Sequence, residues 1–230
     1  MSTKLVVDKQ EGLREFRDTG LSPQPTAIKL IAHFFSYLFH PVFVPVYVVA
    51  FLVYGHPYIF AGFSESSKIK VMIQAFVMFS FFPIVTVLLL KALKFISSFH
   101  LTSQKDRVIP LVACGVWYFW IWYVWRNLPD YPQVSVQLAL AIWISVSLAL
   151  MANIIMKVSL HAIAAGVMLA FIILLALSQT LNFGFYISIA LLVTGVVCTS
   201  RFIVSDHSPQ EVYGGLFVGI ISMLIANWFA

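Results

Sequence analysis

The chain has 230 residues, of which 61% are hydrophobic and 10% charged, with a formal net charge of +5. A soluble domain of this length would have to be apolar over almost all of its surface, so the composition excludes a water-exposed globule and makes lipid the solvent. The positive charge does not describe a nucleic-acid surface, because Lys and Arg form no run and no stripe interleaved with aromatics; a membrane surface is the partner it fits.

Residues 1–25 are a polar leader. Lys4, Asp8, Lys9, Glu11, Arg14, Glu15, Arg17 and Asp18 interrupt any apolar core, so no secretory signal is read there and the first apolar segment is expected to be retained. Leu13 and Phe16 predict a short amphipathic helix at the interface. Residues 26–230 then make a single transmembrane domain. Its first apolar run, 28–54, carries His33 and His40, and Pro41 and Pro45 are expected to kink it.

Further apolar runs follow at 69–93, 108–125, 134–156, 162–177, 183–199 and 212–229, separated by short polar loops. Cys114 and Cys198 lie inside such runs as small buried side chains, and no disulfide is implied. The expected fold is an all-α polytopic transmembrane bundle of about seven spans, with a six-helix core as the alternative count. No internal repeat is visible, and the oligomeric state is left open.

One crossing per run puts the leader and loops 94–107, 157–161 and 200–211 on one face. The basic residues then divide as Lys4, Lys9, Arg14, Arg17, Lys29, Lys91, Lys94, Lys105, Arg107, Lys157 and Arg201 on that face, against Lys68, Lys70 and Arg126 on the other. The positive-inside rule makes the first face cytoplasmic, in a bacterial inner membrane.

Three polar segments on that face carry groups suited to phosphate chemistry. The first contains Lys105 and Arg107, and the second Lys157, Ser159 and His161. The third runs from Ser200 and Arg201 through His207 to Glu211. Ser208, Pro209 and Glu211 alone predict a capping box at the start of the last helix, which accounts for Ser208 and Glu211 without any function but not for Arg201 or His207.

In these segments the chain resembles the type-2 phosphatidic acid phosphatase family, the membrane branch of the acid phosphatase and vanadium haloperoxidase superfamily. The family's S-R-x5-H-x3-D motif aligns without a gap on Ser200, Arg201, His207 and Glu211, with Glu replacing Asp. Its P-S-G-H motif falls on Val158-Ser159-Leu160-His161, retaining Ser and His. Its K-x6-R-P motif is irregular here: with Arg107 as the Arg, His100 takes the Lys position and Pro110 stands three residues on.

The resemblance implies a metal-independent lipid-phosphate phosphohydrolase without cofactor. His207 would attack phosphorus and form a phosphohistidine, Glu211 would orient it, and His161 would serve as general acid and then base. Arg107 and Arg201 would bind phosphate, supported by Lys105 and Ser159, with Lys157 as a further charge. His33, His40 and His56 match no motif and are read as structural. A zinc site from His161, His207 and Glu211 lacks any paired motif. A phosphotransferase using the same intermediate is the nearest alternative. A transporter is the reading from another class, disfavoured because the acidic residues lie outside the span centres.

Overall fold

The computed structural model describes residues 3–8, 12–17, 25–98, 104–204 and 207–229. The leader forms a hairpin of β1 (Thr3–Asp8) and β2 (Gly12–Arg17), paired antiparallel with Thr3 opposite Arg17 and Asp8 opposite Gly12. This corrects the amphipathic helix expected through Leu13 and Phe16. The Leu-Val-Val run of β1 favours extended backbone, and the antiparallel pairing gives β2 a ladder partner along one edge.

The body is helical: α1 (Thr26–Leu38), α2 (Val44–Gly55), α3 (Glu65–Ala92), α4 (Gln104–Arg126), α5 (Gln133–Ile155), α6 (Leu160–Leu177), α7 (Gly184–Val204) and α8 (Pro209–Phe229). The last six are long and apolar enough to cross a membrane, which makes the chain an integral multi-pass membrane protein. Large apolar side chains stay exposed along their outer faces, among them Ile155, Phe217 and Trp228, because lipid is the solvent there.

Pro83 sits inside α3 without an N–H to give, and the turn before it, Val77–Phe81, widens into a π-helical turn. Pro41 acts more strongly. Helix α1 ends ahead of it at Leu38, and α2 restarts with Pro45 in its first turn.

The break reverses the chain. Ser36, near the end of α1, touches Arg201 at the end of α7, while Ile28, Ile31, Ala32 and Phe35 face Leu192, Gly195, Val196, Thr199 and Ile203 along the same helix. α1 therefore runs beside α7 and in the same direction. α2 leads away again: its far end reaches His56, whose Nε2 lies 2.8 Å from Gln179 Oε1 beyond the end of α6. The run expected as one crossing is a helical hairpin with its corner at the 207 end of the bundle. The single-crossing assumption that put Lys4, Lys9, Arg14, Arg17 and Lys29 on that face is thereby removed.

Two packing features set the interior. α6 and α8 approach at Gly166, Gly215 and Gly219, where a Cβ on Gly219 would stand 2.1 Å from the Ile163 carbonyl and one on Gly215 2.6 Å from that of Ser159. Small residues allow this backbone contact, the usual basis of tight helix pairing in lipid. The half of the bundle away from the corner is filled by aromatic rings. Phe79 packs on Tyr118 and Trp125, and Trp125 packs on Tyr131. The Trp125 indole and the Tyr131 hydroxyl both donate to Gln74 Oε1.

Candidate phosphate site

The capping box at the head of α8 forms as its sequence requires. The Glu211 N–H donates to Ser208 Oγ at 3.3 Å and the Ser208 N–H to Glu211 Oε2 at 3.0 Å. The same carboxylate oxygen lies 3.0 Å from His207 Nδ1. A carboxylate only accepts, so the neutral imidazole carries its proton on Nδ1 and keeps a lone pair on Nε2. Capping and orientation of His207 are therefore one arrangement, with both side chains about 5% exposed.

The Glu211 carbonyl accepts the Ser159 N–H at 3.0 Å, tying the head of α6 to that of α8. Ser159 is fully buried, and its hydroxyl caps α6 by accepting the Ala162 N–H at 3.4 Å. Ser159 thus stands behind the site rather than on its wall. Arg107, 5% exposed, donates from Nη1 to the Val158 carbonyl at 2.7 Å and so fixes the same loop.

His161, in the first turn of α6, has Nε2 3.1 Å from the Ser36 carbonyl. A carbonyl accepts only, so Nε2 bears the hydrogen and Nδ1 is the basic nitrogen. Ser36 Oγ accepts from Arg201 Nη1 at 3.5 Å, and the His40 ring meets His161 edge to face with centroids 5.1 Å apart.

These groups line one cavity of about 680 Å³. Its polar mouth holds Arg107, Lys157, His161, Arg201 and His207, together with His40 and Ser36. Of the residues proposed from sequence, Arg107, Arg201, His161 and His207 come together on the wall, with Glu211 directly behind His207. Lys105 is exposed in the first turn of α4 and lies off the wall, where Lys157 supplies the further ammonium. His100 lies outside the described residues.

Burial pushes the His207 imidazole down, to about 4; Glu211 pulls it up, and Arg107, Lys157 and Arg201 push it down again. The ring is thus neutral around pH 7. Among the described residues, no three His, Cys, Asp or Glu side chains gather as a metal-binding group.

Sequence reasoning missed Ser36 and His40. The available signal was spacing: His33, Ser36, Tyr37 and His40 fall at i, i+3, i+4 and i+7, a polar stripe on an apolar run, and all four line the cavity. His56, by contrast, is structural, its Nδ1 accepting the Tyr58 and Ile59 N–H groups at 3.2 Å. The chain matches no protein-family model, no curated protein and no solved structure.

Proposed function

We propose that the protein is a lipid-phosphate phosphohydrolase that works through a phosphohistidine. The observation that carries this reading is the oriented His207–Glu211 pair beside Arg107, Arg201 and Lys157 at the polar end of a cavity whose remaining wall is mostly apolar. The likeness of Ser200, Arg201, His207 and Glu211 to the type-2 phosphatidic acid phosphatase motif supports it independently.

Phosphate esters resist attack because their oxygens repel nucleophiles, and the three cations lower that barrier. His207 Nε2 attacks phosphorus while the ester P–O bond breaks, and the departing alcohol takes a proton from the His161 imidazolium. Neutral His161 then accepts a proton from water, whose oxygen displaces His207 and releases inorganic phosphate. Glu211 holds Nδ1–H throughout and stabilises the charge that develops on the ring.

The test is phosphate release from phosphatidate, phosphatidylglycerophosphate, prenyl phosphate and prenyl diphosphate by the intact protein and by His207→Ala. Full activity in the variant rejects the reading. Stoichiometric transfer of label to an alcohol without free phosphate replaces hydrolysis by phosphotransfer. The orientation expected from sequence does not carry over: the fold-back removes the leader and Lys29 from this face's count, and with Arg107, Lys157 and Arg201 lining the site, Lys91, Lys94 and Lys105 no longer outnumber Lys68, Lys70 and Arg126. Labelling of a cysteine at Lys94 by an impermeant maleimide in intact cells decides whether the site's face lies outside.

A further inference from the structure

The cavity does not end at its charged mouth. Six helices, α1 to α6, contribute stripes to its wall, and the lining residues farthest from the mouth along α2 to α6 are Val48, Pro83, Tyr118, Leu138 and Met168. Along α4 the rise from Arg107 to Tyr118 is about 16 Å, and along α5 that from Ala149 to Leu138 is the same. This is about half of the ~30 Å hydrocarbon core of a bilayer, the depth of one leaflet. Below it stands the aromatic plug, with Phe79 and Trp125 fully buried and Phe79 against Tyr118.

The cavity, charged end included, has about 680 Å³. A tail of about twelve carbons is of the length that fills one leaflet's depth. Tyr37 and Leu88 line the cavity yet are 65% and 49% exposed, so a side opening between α1 and α3 gives a tail entry from the lipid.

We infer that the substrate carries a hydrocarbon tail of about leaflet depth, housed inside the bundle and measured by Tyr118 and Leu138 at the floor. The inference rests on the phosphohydrolase reading for the chemistry at the mouth, whereas the tail well stands on its walls alone.

Two measurements test it. The first compares kcat/KM for butyl, octyl, dodecyl and eicosyl phosphate and for dipalmitoyl phosphatidate, in the native chain, in Leu138→Trp and in Tyr118→Ala. The native optimum falls at dodecyl. Filling the floor moves it toward octyl and lowers the dodecyl-to-octyl ratio about tenfold, the effect of losing contact for one or two methylenes; emptying the floor moves it toward eicosyl. A folding defect lowers every substrate together and moves no optimum. A flat profile or an optimum unmoved in both variants overturns the inference.

The second reads the well without hydrolysis. Cys114 lies on the wall about 10 Å below Arg107 along α4, whereas Cys198 is buried off it. Dodecylphosphonate protects Cys114 from a small membrane-permeant thiol reagent and butylphosphonate does not; equal labelling with both overturns the well. Protection without hydrolysis of any ester rejects the phosphohydrolase reading alone. Hydrolysis with a flat profile and no protection rejects the well alone.

Discussion

His161 Nε2 lies 3.1 Å from the backbone carbonyl of Ser36, a residue 125 positions earlier in the chain. In an unbroken helix that carbonyl would accept the His40 N–H, but α1 ends at Leu38 ahead of Pro41, and the His40 N–H bonds the Tyr37 carbonyl instead. The break therefore frees the acceptor that sets the tautomer of His161. Pro41→Ala lets the helix continue and reclaim the carbonyl. The expected outcome is a fall of about tenfold or more in kcat for phosphate release, with a smaller change in KM, measured on the dodecyl ester.

Glu211 has two duties that a single substitution separates. Glu211→Gln retains a side chain able to cap but loses the charge that supports His207. The drop expected in kcat is roughly 10²–10⁴-fold, the scale seen when a histidine-orienting carboxylate is neutralised. Because Glu211 raises the His207 imidazole, the acid limb of kcat/KM moves to lower pH in the variant. A purely capping role predicts a small loss of stability and an unmoved limb.

The same titration predicts how stability depends on pH. His207 is pushed down to about 4 in the folded chain, from an ordinary value of 6.5. Between these values the unfolded chain binds more protons, so stability falls as pH drops through that window and is insensitive to this group above it. Thermal melting between pH 7 and pH 4 checks the sign, and His207→Gln flattens this part of the slope.

Lys157 and Lys105 supply a direct contrast. Lys157 lines the cavity and acts electrostatically on His207, whereas Lys105 is exposed off the wall. Lys157→Ala is expected to raise KM for phosphate esters about tenfold, and Lys105→Ala to change it less than about twofold, since an exposed charge is screened. Inhibition by inorganic phosphate gives the same ranking independently of chemistry. Equal effects would return Lys105 to the phosphate set.

Gly219 tests the frame that holds these groups. Its Cβ position is 2.1 Å from the Ile163 carbonyl and 2.9 Å from the Val167 nitrogen, so even alanine must push α6 and α8 apart. Gly219→Ala should cost about 1–3 kcal/mol and lower the melting temperature by several degrees. Gly195→Ala, which meets nothing within 4 Å, should be neutral or slightly stabilising. Fluorescence-detected size-exclusion melts distinguish the two.

The sequence by itself determined the solvent, the helical class, six of the spanning helices and the cap at Ser208. Each of these follows from local hydropathy or from groups within four residues of one another, where chain order already fixes proximity. The convergence of Arg107, His161, Arg201 and His207 was legible as order and sidedness, because successive crossings return loops to one face. Only the tertiary structure decided that the first apolar run folds back, that Ser36 and His40 complete the wall, that Ser159 turns inward as a cap, and that Lys157 rather than Lys105 faces the cavity. These depend on how one helix break and one glycine-lined helix contact aim side chains across the bundle, and such directions are set by packing between segments far apart in the chain.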